Sequence, residues 1–258
     1  MSATLNRWFP PFTLAVWGGI SLYFTISGRL SAFLHPNFRP GVWVAGFVLL
    51  LLAVLTFVGA WRDGEQACCV DEACAHPLSR MTAGKFLTFG VLFLPLALAY
   101  TGGSDGFSLN AIENRGVITD VGALAGKRDV VFPGDGGKAG ELMQISVIDL
   151  LYAARDRGLM GDFEGHRVEV VGQLMPEKEA NPLGNRMKLV RMFMSCCAAD
   201  AKPIAAILEL GQKPNVPELS WVRVVGVPTF PMEGGRTIVV LKAESIEPTS
   251  PPDEAMLF

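Results

Sequence analysis

The chemistry available to this chain is concentrated in its five cysteines, which fall in two clusters. In "ACCVDEACAHP" (Ala67–Pro77), Cys68, Cys69, Cys74 and His76 lie within nine residues, with Asp71 and Glu72 between them. Three thiols and an imidazole form the ligand set of a Cys3His zinc site, and soft thiolates also suit copper(I). The C-C-x4-C-x-H spacing matches no common zinc finger, so a polar loop with incidental thiols is an equal reading. The second cluster is "RMFMSCCAADAKP" (Arg191–Pro203), where Cys196 and Cys197 are adjacent. Neighbouring side chains of a regular strand point to opposite faces. A shared role for the pair therefore needs the strand to break at Cys197, and Ala198–Asp200 and Pro203 supply that break. Asp200, close in sequence, and His166, at the start of another strand, are the further ligands considered. Three readings stay open: packing as small buried hydrophobes, binding of a thiophilic metal or partner, and redox chemistry. A vicinal disulfide would be strained, because consecutive trans Cα atoms are 3.80 Å apart, below the usual ~4.4–6.8 Å.

These clusters sit in a chain whose two parts differ in character. Of its 258 residues half are apolar and 18% charged, against roughly 25% charged in an average soluble protein. Residues 1–100 hold 6 Lys/Arg and 4 Asp/Glu, and residues 101–258 hold 16 and 21. The front is oily and slightly basic, the back mildly acidic. The acidic balance argues against a nucleic-acid partner, which needs clustered Lys and Arg.

Two uncharged runs of 21 residues, Trp8–Gly28 and Gly41–Trp61, each extend about 32 Å as a helix, close to the ~30 Å of a hydrocarbon core. Trp8, Trp43 and Trp61 stand near their ends, where an amphipathic ring suits the interface. A third run, Phe86–Gly103, contains Pro95, and proline is tolerated in membrane helices. The first run is too long for a cleaved signal peptide, and no A-x-A site follows it. We expect three transmembrane spans (8–28, 41–61 and 86–103) within residues 1–104. Arg7, Arg62, Arg80 and Lys85 on one side against Arg29 and Arg39 on the other put the N-terminus in the cytoplasm. Three spans then carry the C-terminal domain outside.

Behind the spans, residues 105–160 read as linker followed by a strand and a short helix, "ELMQISVIDLLYAARDRG". Asp149 is the expected N-cap and Gly158 the stop. "PGDGGKAG" (Pro133–Gly140) is not a phosphate loop, because Phe132 stands where Walker A needs its first glycine. Residues 161–258 hold five strand-like runs: His166–Leu174, Arg186–Met194, Pro203–Leu210 (alternatively a helical turn), Ser220–Pro228 and Arg236–Ile246. Val168–Gly172 and Val222–Gly226 share V-x-V-V-G, a pattern that lets a strand bulge or coil around a small barrel. Five strands in about 80 residues fit an OB-like β-barrel. The fold class expected is therefore a membrane-anchored α+β protein.

"FEGHRVEVVGQL" (Phe163–Leu174), "VRMFMSCCAADAKP" (Val190–Pro203), "WVRVVGV" (Trp221–Val227) and "LHP" (Leu34–Pro36) resemble the YcgQ-like bacterial membrane protein family. Its members are described as subunits of a two-component permease. The resemblance implies N-terminal spans, a Cys/His-bearing loop, a soluble C-terminal domain and an integral-membrane permease as partner. Members often carry a His-rich second loop, and here that loop has one His.

The expected function is an accessory subunit of a permease complex in the bacterial plasma membrane, its soluble domain binding a substrate, ion or partner. Spans without Lys, Arg, Asp or Glu do not easily form an ion path alone, which favours a subunit over a transporter. The alternative is a membrane-anchored metal-handling or redox protein working through Cys196 and Cys197, with zinc or another thiophilic metal as the only candidate cofactor. No G-x-S-x-G, H-E-x-x-H or C-x-x-C is present, so an enzyme is not expected.

Overall fold

Apolar residues without charge dictate the first elements. In the computed structural model, which describes residues 2–62, 83–101, 109–119, 142–178, 181–211, 214 and 216–258, Ser2–Ile26 form helix α1 and Arg39–Arg62 helix α2. The link between them begins at Gly28, whose φ of 73° belongs to the left-handed region that glycine enters freely. Two short 3-10 turns follow, Arg29–Ala32 and Pro36–Phe38, and the His35 ring caps the second by accepting from the Asn37 amide at 3.2 Å. α1 and α2 fold back on each other at two glycines. A Cβ on Gly18 would stand 2.9 Å from Leu50 Cγ, and one on Gly46 2.8 Å from Leu22 Cδ2. Trp8 meets Phe57 at the other end of this antiparallel pair, their rings 4.9 Å apart. Thr13, Ser21, Thr25 and Thr56 turn their hydroxyls onto carbonyls four residues back, so these donors are satisfied within their own helices. Among the described residues, Trp8–Ile26 and Pro36–Arg62 are long and apolar enough to cross a membrane. Ala83–Thr101 form helix α3, with Pro95 inside it. Contacts divide the chain into two compact units, Met1–Gly106 and Phe107–Phe258.

The second unit begins with helix α4 (Leu109–Arg115). Strand β1 (Met143–Ile145) and helix α5 (Val147–Ala153) follow, as the apolar run predicts, but the cap differs. Ser146, not Asp149, is the N-cap. Asp149 sits at the third helical position, and the two form a capping box in which the Asp149 amide donates to Ser146 Oγ and the Ser146 amide to Asp149 Oδ2. Gly158 does not stop this helix. Asp156 caps a new one, α6 (Arg157–Phe163), donating no proton but accepting from the Gly158 amide at 2.8 Å.

Strands β2 (Val168–Pro176), β3 (Arg186–Phe193), β4 (Lys202–Glu209), β5 (Trp221–Thr229), β6 (Met232–Glu233), β7 (Arg236–Thr237), β8 (Val240–Pro248) and β9 (Met256–Leu257) complete the unit. The Pro203–Leu210 run is a strand and not a helical turn. The run read as one strand from Arg236 to Ile246 is broken at Ile238–Val239, because β7 turns back to form a hairpin with β6. The sheet is mixed and seven-stranded, in the order β1-β2-β5-β8-β4-β3-β9, with β2 also paired to β3. The ladder through β2, β5, β8, β4 and β3 thus returns to β2. β4 and β8 run parallel, and the other pairs in this circuit are antiparallel.

The two V-x-V-V-G glycines have different jobs. At Gly226 the β5–β8 register slips, so that Val225 faces Ser245 while Gly226 faces Ala243, and Glu244 becomes the extra residue of a bulge. At Gly172 the backbone lies against a neighbour: a Cβ would stand 2.8 Å from Leu189 Cγ. One face of the strands (Val170, Leu174, Leu189, Ile204, Leu208, Val222, Val224, Leu241) buries an apolar cluster with α5 residues Ile148, Leu150 and Leu151. The opposite face of β3 and β4 carries a second cluster, in which Val190, Met192, Met194 and Ala205 meet Met175, Ile112 of α4 and Met256 of β9.

Candidate functional site

The cysteine turn begins where β3 loses its partners. After Phe193 the Met194 amide donates to the Leu257 carbonyl of β9 at 2.8 Å, and the chain leaves the sheet. Residues 195–200 fold around one carboxylate. Asp200 accepts from the Cys196 amide at 2.9 Å and from the Cys197 amide at 3.3 Å, and its own amide donates to the Cys197 carbonyl at 3.0 Å. This is the local hydrogen bonding that short polar side chains offer a turn. Both thiols are free; Cys196 is exposed, Cys197 half-buried, and their Sγ atoms lie 3.7 Å apart. The two sulfurs and a carboxylate oxygen of Asp200 all fall within 4.8 Å of one another.

The electrostatics follow from this closeness. Hydrogen bonding to Asp200, then to Cys197, favours the neutral Cys196 thiol and pushes it up to about 11. Burial opposes the charge on Asp200, but hydrogen bonds from the Cys196 thiol and from the amides of Cys196, Cys197 and Ser195 outweigh it. They hold the carboxyl below its usual range.

The strand breaks before the expected Cys197: β3 ends at Phe193, and both cysteines lie in the turn that follows. Asp200 joins the pair as expected. His166 does not: it stands half-buried before β2, its Nδ1 without a hydrogen-bond partner, and it is no part of the group. Cys68, Cys69, Cys74 and His76 lie outside the described residues. One participant has no signal in the local sequence. Arg115, at the end of α4, donates from Nη1 to the carbonyls of Ala198 (3.2 Å) and Ala201 (2.6 Å), across 83 and 86 residues of chain.

A further cation, Arg191, is buried in β3 next to the tail. It donates to the carbonyls of Val171 (3.2 Å) and Glu254 (2.8 Å), and its guanidinium carbon stands 5.2 Å from the Trp221 ring centroid. Desolvation brings its pKa down to about 10.

Residues 10–118 match the model of the DUF1980 N-terminal domain, and residues 147–258 that of the DUF1980 C-terminal domain. The chain belongs to the DUF1980 family. No curated protein matches it. The DUF1980 C-terminal match takes in α5, the sheet from β2 onward and the whole cysteine turn. The DUF1980 N-terminal match runs on past the apolar helices to Ile118, so it includes α4 and Arg115, which pack in the second compact unit.

Proposed function

We propose that this DUF1980 protein is a membrane-anchored accessory subunit of a permease complex, and that its soluble domain captures a thiophilic divalent ion of the zinc class at Cys196, Cys197 and Asp200. The observation that carries the reading is the convergence of three donor atoms on one exposed turn. Two thiolates bound to a tetrahedral ion at about 2.3 Å stand about 3.8 Å apart, and the two sulfurs lie at 3.7 Å. Linear copper(I) would need a wider separation. Three protein ligands leave a fourth position open, which suits an ion that is picked up and passed on; structural zinc sites are closed by four. Binding displaces the proton from Cys196, so capture is stronger at higher pH. The role is one of binding and not of catalysis.

Several features support the remaining parts of this reading. The exposed faces of α1 and α2 carry Phe12, Val44, Leu51, Leu55 and Trp61, a surface suited to lipid or to an integral-membrane partner. α3 is our third span, with Pro95 tolerated as in other membrane helices. The basic-residue bias keeps the N-terminus in the cytoplasm and the C-terminal domain outside, in the plasma membrane. The closed circuit of β2, β3, β4, β8 and β5, with its one parallel pair, supports an OB-like barrel. The YcgQ-like resemblance supports a permease partner.

The test uses the full chain in detergent, reduced and metal-free, with Cys68, Cys69 and Cys74 changed to Ser. Cobalt(II) titration is expected to give a thiolate charge-transfer band at one ion per chain, lost in Cys197→Ser. Absence of the band refutes ion capture at this turn.

A further inference from the structure

The segment that follows α3 in the chain is fastened at three points to the cysteine turn and to the start of β4, which follows it. Ile112, fully buried, lies in the same apolar cluster as Met194 and Ala201, and Ala198 packs against that cluster. Arg115 binds the carbonyls of Ala198 and Ala201. The Ile118 amide donates to the Pro203 carbonyl at 2.8 Å, and the Ile118 carbonyl accepts from the Ala205 amide at 2.9 Å. Asp200 gathers the amides of the turn's first half, and Arg115 gathers carbonyls on either side of Asp200. Each charged group therefore satisfies one polarity of the same short stretch of backbone.

We infer that Arg115 is the positioning residue of the ion site: it touches no ligand atom, but it fixes the turn in which Cys196, Cys197 and Asp200 converge. This rests on the ion-capture reading. Both bonds leave one guanidinium nitrogen, Nη1, whose two protons are fixed in the plane of a rigid group, so the two carbonyls they join are held at a set separation. Ala198 follows Cys197 directly and Ala201 follows Asp200, so pinning these two carbonyls pins the backbone that carries both kinds of ligand. Two thiolates and a carboxylate around a divalent ion leave a net charge of −1, and Arg115 is bonded to the residues that directly follow Cys197 and Asp200. The ion class that best uses this arrangement is divalent, since a monovalent ion would leave −2.

The experiment compares Arg115→Ala and Arg115→Lys with the parent protein, full-length in detergent, with the loop thiols changed to Ser. Cobalt(II) affinity is read from the thiolate band, and backbone hydrogen exchange of residues 190–203 is read in the metal-free state. Arg115→Ala is expected to weaken cobalt binding about tenfold, the scale of losing charged hydrogen bonds. Exchange should speed up at residues 195–201 while β2 and β5 stay protected. Arg115→Lys, which keeps the charge without the rigid planar donor, is expected to recover part of the affinity. Parent-like affinity and exchange in Arg115→Ala overturn the inference. If that variant does not fold, Arg115→Gln decides, and parent-like affinity in it overturns the inference. If the parent binds no cobalt, the ion reading itself fails and Arg115 positions no ion site; exchange then reports only whether it holds the turn.

Discussion

Cys196 and Asp200 share a proton balance that one substitution would upset. The carboxylate favours the protonated thiol, so Asp200→Asn should let the Cys196 thiolate form at lower pH. In alkylation of the metal-free protein with iodoacetamide, the pH midpoint for Cys196 is expected near 11 in the parent and clearly lower in Asp200→Asn. Equal midpoints would show that Asp200 does not act on the thiol. The sign for stability follows from the same contacts. The folded Asp200 carboxyl titrates low, so its contribution is present above the ordinary carboxyl pKa and is lost as pH falls through the folded value. Arg191 behaves differently, because it is buried with carbonyls as its acceptors. Arg191→Ala removes the bonds to the Val171 and Glu254 carbonyls, the guanidinium over Trp221 and the buried stem. It should cost about 2–3 kcal/mol. Arg191→Met, which keeps the stem, should cost less, and thermal unfolding of both variants measures the difference.

The elements of this fold depend on places where backbone meets backbone. A Cβ on Gly226 would lie 2.3 Å from the Lys242 carbonyl oxygen, and main chain there cannot step aside without opening the bulge. A Cβ on Gly172 would chiefly meet the Leu189 side chain, which can turn, and the Val190 carbonyl at 3.0 Å. Gly226→Ala is therefore expected to lower stability by about 2–3 kcal/mol or more and Gly172→Ala by less; urea unfolding that reverses this order would contradict the assignment of the bulge to Gly226. In the first unit, Gly18→Leu would push Leu50 and the Gly46 carbonyl away from α1. Small residues let membrane helices approach closely. Proximity of α1 to α2, measured by disulfide cross-linking of introduced cysteine pairs, should be lost in Gly18→Leu and kept in Gly19→Leu, since Gly19 has open space around it.

At the scale of the whole molecule, topology is the property most open to test. With three spans, a C-terminal fusion to an enzyme active only outside the cytoplasm should be active, and fusions after residue 62 should not be. The reverse pattern would place the cysteine turn in the cytoplasm. Much of this organisation was legible in the sequence. Uncharged 21-residue runs mark α1 and α2 because each run has the length and apolarity of a helix able to cross a membrane. The strands show because their alternation survives in one dimension: Val168, Val170 and Gly172 share a face on the page as in the sheet. The turn at Cys196 was legible from Asp200 and Pro203, which act within a few residues. The rest was hidden for a physical reason. Arg115 reaches the turn across more than eighty residues, and no local pattern records a hydrogen bond to a distant carbonyl. The exclusion of His166 is also tertiary, since sequence places it at the start of a strand but does not record which turns meet that end. Ser146 displaced Asp149 as the cap because both can cap, and the capping box uses both.

The Met256–Leu257 strand has a consequence for biosynthesis. It pairs with Met192 and Phe193 of β3 and supplies Met256 to the cluster that holds Ile112. Every other strand of the sheet leaves the ribosome before it does. The layer beneath the cysteine turn therefore waits, with Ile112, Met192 and Met194 uncovered, until the last strand is made. A message cut short just before residue 256 would yield a chain with its apolar helices and most of its sheet, yet with the edge of β3 open to any passing strand.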